Sequence, residues 1–491
     1  MSLTLRVILS LCFFALGSQS TYTKAADPEP SGSPSPAATA VETPSPSETP
    51  SKPLAPSHGS GGKTYLSVGT ARTKKSVLAF ADIRAENTQS KALAKVIEET
   101  VTRDLTFMDL FKFLSSTAFI EDSATAGITP GTFKFKDWSG IGAEFLIKST
   151  LNSSNTSENG QVLSFEAHVY DTFGAKQILA KRYTANTKDV KNLAHTFAND
   201  MIQALTGLPG IFQTKIAMTC DMSGKKEIYV MNFDGSDVKQ VTKHRSIAFA
   251  PAWSPDGTRI AYSLFTRHAN NVKNIDLYEF NFTSNTVRLL SDRRGINSGA
   301  AYSPDGSKIA LTMSYSGNPE IFLLDLATRG TTQLTKSFGF DVDPSWSPDG
   351  KHLAYVSSRT GMPMVFSMKL DGKQPQRLTY AGKYNATPTW SPQKNKIGFA
   401  GWIDKSFDIF IMNPDGTNIE RLTKNQGNNE DPYFSPDGGF LAFSSNRTGQ
   451  RNIYVMNTDG TFVKRLTFGL GNCVSPKWSN PPTSGVSDVQ K

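Results

Sequence analysis

The side chains that carry catalytic chemistry in proteins are few in this 491-residue sequence, and they are scattered along it. No Gly-x-Ser-x-Gly nucleophile turn, phosphate-binding Walker loop or His-Glu-x-x-His zinc motif occurs. The Gly140-Ile141-Gly142 segment lacks the third glycine of a dinucleotide-binding loop. Six isolated histidines remain, at His58, His168, His195, His244, His268 and His352. We therefore predict no enzymatic activity, no cofactor and no bound metal.

Aspartates recur in a repeated pentapeptide. Copies of Trp-Ser-Pro-Asp-Gly, four close and two divergent, begin at Trp253, Tyr302, Trp346, Trp390, Phe434 and Trp478. Successive copies are 49 residues and then 44 residues apart, a fixed period that indicates repeated supersecondary units. Proline and glycine shape a tight turn, and aspartate bonds to nearby backbone. We therefore interpret these aspartates as structural. In the divergent fourth copy Lys394 replaces the glycine, and we expect Lys394→Gly to stabilise a left-handed turn residue.

Each copy belongs to a unit of four short strands. The turn is followed by an alternating strand such as Ile260-Ala261-Tyr262, a further strand, an Asp-Gly turn and a strand that ends at Leu-Thr. Those endings are predicted at Thr242, Ser291, Thr335, Thr379, Thr423 and Thr467. Six such units with one period favour blades around a central channel over a sandwich. We predict an all-β six-bladed β-propeller over residues 210–480.

The repeat register predicts a ring of six residues near the mouth of that channel. They lie three positions before each aromatic residue, on the strand expected to be innermost: Ala250, Gly299, Asp343, Thr387, Asp431 and Ser475. Small side chains leave the mouth open, and the two carboxylates make it acidic. Since Asp343 and Asp431 are two blades apart, too far for paired acid–base catalysis, we interpret them as binding groups.

We predict that a partner loop carrying lysine or arginine docks at this ring. Further residues are expected around it, namely Arg245, Ser246, Asn297, Asn385 and Asn429. The alternative is that all of these residues only cap strands, and the sequence leaves it open.

The chain before the propeller contains three predicted regions. Arg6 and the apolar residues 7–17 are typical of a cleaved secretory signal peptide, which we place at residues 1–26. Residues 27–62, rich in proline and serine, cannot bury enough apolar surface to fold and are predicted to be a disordered tether. A disordered tail is predicted at residues 481–491. Residues 63–209 have the mixed periods of an α+β domain.

Within that domain the pattern predicts four strands and two helices. The strands are expected at residues 76–83, 145–151, 162–171 and 178–184, and the first helix at residues 91–108. A second helix closes the domain, with an apolar stripe at Leu193, Phe197, Met201 and Leu205.

Cys220 and Cys473 are predicted to form a disulfide. Three strands precede the first pentapeptide strand and the strand ending at Trp478 has no following partner, so the two chain ends should share one blade. In the unit of Trp253 the hairpin sets residue 248 opposite residue 264, and the repeat step carries these positions onto 473 and 220. Opposite residues are within small adjustment of bridging distance. Export favours oxidation, and Cys12 leaves with the signal peptide. Two buried free thiols are the alternative.

The net charge of +9 excludes few classes of binding partner. No motif that combines aromatic and basic residues for nucleic acid occurs, and an exported protein does not routinely meet nucleic acid, so we predict no nucleic-acid partner. A solubilising surface explains the charge, and attraction to acidic partners or an anionic envelope is the alternative.

Three stretches resemble the TolB family of the periplasmic Tol-Pal system. The junction at residues 205–212, Leu-Thr-Gly-Leu-Pro-Gly-Ile-Phe, continues into Lys-Ile-Ala at residues 215–217 as in that family. Asp137-Trp138 with Gly-Ala-Glu at 142–144, and Ala194-His195 with Asn-Asp at 199–200, are similar to its amino-terminal domain. The pentapeptide repeat is shared with peptidases and lyases, so the junction and the domain order are the more specific signals. The resemblance covers about residues 64–480.

The resemblance implies a monomeric, non-enzymatic adaptor in the periplasm. TolB-like proteins bind Pal, a peptidoglycan-associated lipoprotein, through a propeller mouth, and the inner-membrane protein TolA through the amino-terminal side, and so support envelope integrity and constriction at division. We expect Pal-like and TolA-like partners, with membranes reached only through them. The long tether departs from the family, whose short amino terminus takes part in switching between partners. The alternative is a secreted propeller enzyme resembling a polysaccharide lyase, which would need a histidine and carboxylate metal cluster.

Overall fold

The structure is a computed structural model that describes residues 75–122, 125–156 and 160–482. The predicted signal peptide, tether and most of the tail lie outside these residues. An amino-terminal α+β region precedes a six-bladed β-propeller, as the sequence predicts. Within the described ranges, none of the helices has both the length and the apolar character needed to cross a bilayer.

The amino-terminal domain is one sheet covered by two long helices. Its elements in chain order are β1 (Ser76–Phe80), β2 (Arg84–Ala85), α1 (Thr88–Phe107), β3 (Phe111–Phe113), a 3-10 turn (Ser116–Ala118), α2 (Phe135–Gly140), β4 (Phe145–Thr156), β5 (Gly160–Asp171), β6 (Lys176–Asn186), a second 3-10 turn (Thr187–Asp189) and α3 (Val190–Thr206). The sheet order is β3-β1-β4-β5-β6, with β2 beside β4. Strands β1, β3 and β4 run parallel, whereas β4, β5 and β6 form an antiparallel meander.

Helix boundaries follow local capping chemistry. The Asn87 side chain accepts a hydrogen bond from the Ser90 backbone N–H at 2.8 Å and so begins α1. Gly207, with φ of 75°, ends α3 by donating its N–H to the Gln203 carbonyl. The predicted apolar stripe of α3 is buried throughout, at Leu193, Phe197, Met201 and Leu205. Burial of each such side chain stabilises the fold by about 1.5–3 kcal/mol.

The propeller consists of six four-stranded antiparallel sheets. After the domain junction come β7 (Lys215–Cys220), β8 (Glu227–Asn232) and β9 (Lys239–Gln240). The first blade contains β10 (Ala248–Trp253), β11 (Arg259–Arg267), a 3-10 turn (Ala269–Asn271), β12 (Lys273–Asn281) and β13 (Thr286–Ser291). The second contains β14 (Asn297–Tyr302), β15 (Lys308–Met313), β16 (Glu320–Asp325) and β17 (Thr331–Gln333).

The remaining blades repeat this order. The third contains β18 (Asp341–Trp346), β19 (His352–Ser357), β20 (Met364–Lys369) and β21 (Gln376–Arg377). The fourth contains β22 (Asn385–Trp390), β23 (Ile397–Ile403), β24 (Ser406–Met412) and β25 (Glu420–Arg421). The fifth contains β26 (Asn429–Phe434), β27 (Phe440–Thr448), β28 (Gln450–Asn457) and β29 (Val463–Arg465). The last strand, β30 (Cys473–Trp478), completes the sixth blade in the order β30-β7-β8-β9.

The sixth blade joins the two ends of the propeller sequence. Cys473 on β30 pairs with Cys220 on β7, and a disulfide joins the two residues, whose Cα atoms are 4.2 Å apart. The Trp253 indole donates to the Lys477 carbonyl at 3.1 Å and so connects the first blade to the sixth. The ring is therefore closed by a strand pair, a covalent bond and a tryptophan contact.

The pentapeptide builds the hairpin between the first two strands of a blade. In the first blade the Gly257 N–H donates to the Ser254 carbonyl at 2.9 Å, and Gly257 has a φ of 68°. Asp256 accepts hydrogen bonds from Ser254 and Thr258. Burial would raise the pKa of Asp256, but these bonds and Arg259 lower it to about 2. Turn bonding thus accounts for the aspartate.

The divergent fourth turn corrects one expectation. Asn395, and not Lys394, has a positive φ, of 46°. Asparagine tolerates left-handed backbone better than most residues because its short side chain bonds locally. The left-handed position has moved by one residue, so the expected gain from Lys394→Gly loses its basis.

The outer strands end earlier than the sequence pattern predicts. In five blades the strand stops two residues before the threonine of Leu-Thr. The hydroxyl of that threonine instead accepts a hydrogen bond from a backbone N–H at the start of the third strand, at 2.8 Å from Ile228 to Thr242 and at 2.9 Å from Ile321 to Thr335. The threonine therefore anchors the strand end with its side chain.

The two ends of the propeller channel differ. We name the turn face the end with the pentapeptide and Asp-Gly turns, and the loop face the opposite end, with the loops between second and third strands and between blades. Phe107 of α1 packs on the turn face, with ring centroids 5.0 Å from Phe233, 5.6 Å from Phe440 and 6.2 Å from Phe462. Arg103 pairs with Asp234 there at 3.5 Å. The amino-terminal domain therefore covers part of the turn face.

We predict that Cys220→Ala with Cys473→Ala lowers the free energy of unfolding by about 2–5 kcal/mol, because the bond closes a loop with a sequence separation of 253 residues. Urea unfolding without reductant measures the difference. Wild-type protein in reductant is the control and should unfold at the midpoint of the double variant. Equal midpoints for oxidised wild type and variant would contradict the prediction.

A candidate partner-binding channel

The six predicted ring residues occupy one structural position, repeated in every blade. Each lies in a β-bulge of the innermost strand, where the pairing register shifts. All have a positive φ, with values of 51° at Ala250, 62° at Gly299, 54° at Asp343, 46° at Thr387, 56° at Asp431 and 53° at Ser475. Positive φ is unfavourable for residues other than glycine, so the fold holds five of these six residues in a strained conformation.

A proline follows the bulge residue in five blades, at Pro251, Pro344, Pro388, Pro432 and Pro476. Proline lacks an N–H and is confined in sheets to edge strands and bulges. The innermost strand of each blade is such an edge, because one of its sides pairs with the second strand and the other side faces the channel. The bulge and the proline together keep these edges from pairing with another strand.

The ring residues surround a cavity of about 540 Å³. All six line it, and it continues past the inner strands to Pro304 and Pro348 of the turn face and to Pro209 of the domain junction. At Gly299 an added Cβ atom would lie 3.2 Å from Asp343 Oδ1, so glycine leaves room for that carboxylate. The volume suits a short peptide loop or a small ligand.

Charge inside the cavity comes from Asp343, Asp431 and Lys477. Burial raises the pKa of Asp343 to about 6, a shift that Lys477 opposes and Asp431 increases. Burial also lowers the pKa of Lys477, against the effect of the two aspartates. Asp431 accepts hydrogen bonds from the Ser475 backbone at 3.1 Å and hydroxyl at 3.2 Å. Charged groups held in a poorly solvated cavity are a general mark of a binding site.

Among the lining residues outside the predicted ring, one is charged and one is a tyrosine beside it. Lys477 and Tyr433 lie one position before the aromatic residue of their repeats, and the Lys477 ammonium sits 4.6 Å from the centroid of the Tyr433 ring. Side chains two positions apart on a strand share a face, so counting one step beyond the ring would have found both. The cavity therefore contains a cation, Lys477, beside the two carboxylates of the ring.

The five residues predicted around the ring do not line the cavity. Asn297, Asn385 and Asn429 are buried, and their side-chain amides donate to the Ile275, Ala381 and Gly427 carbonyls respectively. These three asparagines begin inner strands and bond to backbone there, as the alternative that they only cap strands predicts. Arg245 is exposed and Ser246 half-buried, and both precede β10 on the loop face.

Four histidines of the described residues, His168, His195, His244 and His268, bond to different side chains. His195 bonds Asp104 at 2.5 Å, His268 bonds Asp276 at 2.8 Å and His244 bonds the Tyr262 hydroxyl at 2.8 Å. Among the described residues, no three histidine, cysteine or carboxylate side chains are grouped as a metal site would need.

Comparison with known proteins identifies the family. A family model described as the TolB beta propeller domain matches residues 202–401 and 385–484, and one described as the TolB amino-terminal domain matches residues 64–178. The chain belongs to the TolB family. The resemblance predicted from the domain junction and the repeats is confirmed.

Similar proteins carry the same family name. The Tol-Pal system protein TolB of Geobacter metallireducens is 38% identical over 197 residues, which are 40% of this chain and 44% of that protein. A protein TolB homolog of Chlorobium chlorochromatii is 34% identical over 280 residues, 57% of this chain and 60% of that protein. The matches thus span less than two thirds of these relatives. The crystal structure of TolB from Acinetobacter baumannii has a TM-score of 0.70 at 23% identity, covering 85% of this chain and 100% of that chain, and so supports the fold.

We predict that Asp343→Asn stabilises the protein at pH 7 and that this gain fades as the pH falls. The pKa of Asp343 is about 6 in the folded protein and about 3.9 in the unfolded chain. Between these two pH values the folded protein binds more protons at Asp343 than the unfolded chain does, so the contribution of Asp343 to stability falls as the pH rises from 4 to 6. By this linkage the gain should reach about 2–3 kcal/mol at pH 7. Urea unfolding from pH 4 to 7 measures it, with exposed Asp371→Asn as control. A pH-independent difference would contradict the assigned burial.

Proposed function

We propose that this protein is a non-enzymatic adaptor of a Tol-Pal-type envelope system in the periplasm. It binds a Pal-like peptidoglycan-associated lipoprotein through the propeller channel and a TolA-like inner-membrane protein through its amino-terminal side. Membership of the TolB family supports this role, since relatives are named as Tol-Pal system proteins. The adaptor would connect the two membranes and support envelope integrity and constriction at division.

The observation that carries the proposal is a ring with two carboxylates that lines the propeller cavity. Asp343 and Asp431 lie on bulges that project the same residue position of each blade toward the cavity. Strained backbone at the same position in five of the six blades supports a functional reason, because each such residue costs on the order of 1 kcal/mol. A lysine or arginine on a partner loop would meet two carboxylates there and would compete with Lys477.

The arrangement of the domains favours separate sites for the two partners. The amino-terminal domain packs on the turn face through Phe107 and Arg103, and it leaves the loop face for a partner that approaches along the channel axis. Arg245 and Ser246 lie on that approach. The partner bound by the amino-terminal side need not displace the partner in the channel, so one molecule can hold both.

We predict that Asp343→Asn with Asp431→Asn weakens binding of the soluble domain of a Pal-like lipoprotein from the same organism by tenfold or more, since a desolvated partner cation loses both counter-charges. Isothermal titration calorimetry measures the affinity. Asp371→Asn with Asp415→Asn, which removes two exposed turn carboxylates, is the matched control and should bind like wild type.

Two results would contradict the proposal in different ways. Wild-type affinity in the folded ring variant would place the lipoprotein away from the ring. No binding of the lipoprotein by wild-type protein, with the disulfide intact, would contradict the adaptor role itself.

A further inference from the structure

The loop face is strongly cationic. The loops between blades expose Lys243, Arg245, Arg293, Arg294, Lys336 and Lys383. The loops between second and third strands add exposed Lys225, Arg267 and Lys273. On the turn face some exposed lysines are balanced by exposed aspartates in the same turns, as Lys351 is by Asp349 and Lys373 by Asp371. Much of the net positive charge of the chain is thus gathered at one end of the propeller.

The same face exposes large apolar side chains at its loop tips. Phe338 is fully exposed, Tyr380 is 72% exposed and Phe468 is 67% exposed. Met222 and Met362 are more than half exposed on two further loops. Phe338, Met362 and Tyr380 lie in loops beside the third blade, and Met222 and Phe468 lie in loops of the sixth. They therefore form two groups on opposite sides of the six-bladed ring.

Arginine and aromatic side chains are also interleaved here. The Arg293 guanidinium lies 4.8 Å from the centroid of the Tyr315 ring, and Arg465 lies 4.6 Å from the ring of Phe468. Aromatic side chains that present an apolar body beside cationic groups are enriched where proteins meet the headgroup region of a bilayer.

We propose that the loop face binds the surface of an anionic phospholipid bilayer. Its lysines and arginines face the lipid phosphates, and Phe338, Tyr380 and Phe468 enter the headgroup layer. Each Lys or Arg near an anionic leaflet adds to the attraction, and exposed aromatic side chains add apolar burial that charge alone lacks. A bilayer on the loop face would cover the entry to the channel, so bilayer binding and lipoprotein binding exclude each other. Bilayer binding requires neither proposed partner.

The distribution of the projections favours a bilayer over an acidic protein. A folded partner typically buries one continuous patch with a few central anchors. Here the apolar tips form two groups on opposite sides of the ring, with cations between them, and a broad flat surface meets both groups at once. A bilayer is such a surface.

Vesicle flotation tests the proposal with purified protein. Vesicles of equal parts phosphatidylglycerol and phosphatidylcholine should bind wild-type protein, and pure phosphatidylcholine vesicles should not. Arg293→Glu with Arg294→Glu should weaken binding about tenfold or more, because each basic residue lost near an anionic surface costs about fivefold. Lys351→Glu with Lys373→Glu on the turn face makes the same charge change and should bind like wild type.

A second variant separates a bilayer from a general polyanion. Phe338→Ser with Tyr380→Ser should bind phosphatidylglycerol vesicles several-fold more weakly than wild type does, and should bind soluble polyglutamate as well as wild type does. If this variant keeps both ligands, the face is a site for acidic polymers or proteins and the bilayer proposal is wrong. Equal loss in the turn-face control, or no flotation of wild-type protein, would also overturn it. Binding of a lipoprotein is not needed in any arm, so failure here leaves the proposed adaptor role standing.

Discussion

The closure of the propeller ring is the constraint on which the rest of the structure depends. The last strand, β30, must find β7, more than 250 residues earlier in the chain, before the sixth blade exists. The amino-terminal domain packs on the closing blade and its neighbour, since one apolar core contains residues of α1, α3 and both blades. The Trp478 indole donates to the Thr214 hydroxyl at 2.6 Å beside the domain junction. Closure therefore also fixes where the amino-terminal domain packs on the propeller.

Closure also creates the geometry of the candidate site. The six inner strands lie as sheet edges around one channel. Their bulge residues line the cavity, and bulge and proline keep these edges from pairing with another strand. The domain that packs on the turn face makes the two ends of the channel unequal. The loop face exposes Arg245 and Arg293, whereas the ring inside the cavity carries the carboxylates of Asp343 and Asp431.

Much of this could be predicted from the sequence because the repeat has one period. The period alone carries the blade number, the shared sixth blade, the pairing of Cys220 with Cys473 and the ring positions. What escaped prediction depends on individual side chains. The Thr242 hydroxyl accepts a backbone hydrogen bond after its strand has ended. Asn395 takes the left-handed backbone position beside Lys394. The Asn297 side chain donates to a backbone carbonyl and does not face the cavity. Periodicity does not report such local competition for hydrogen bonds.

The central claim is that a partner enters the propeller channel. Site-specific photo-crosslinking in cells tests it most directly, with a photoreactive residue placed at Thr387 in the ring and, separately, at exposed Lys373 on the turn face. The account predicts a crosslink to a single outer-membrane lipoprotein from position 387 and none to it from position 373. A lipoprotein crosslink from position 373 with none from position 387 would contradict it.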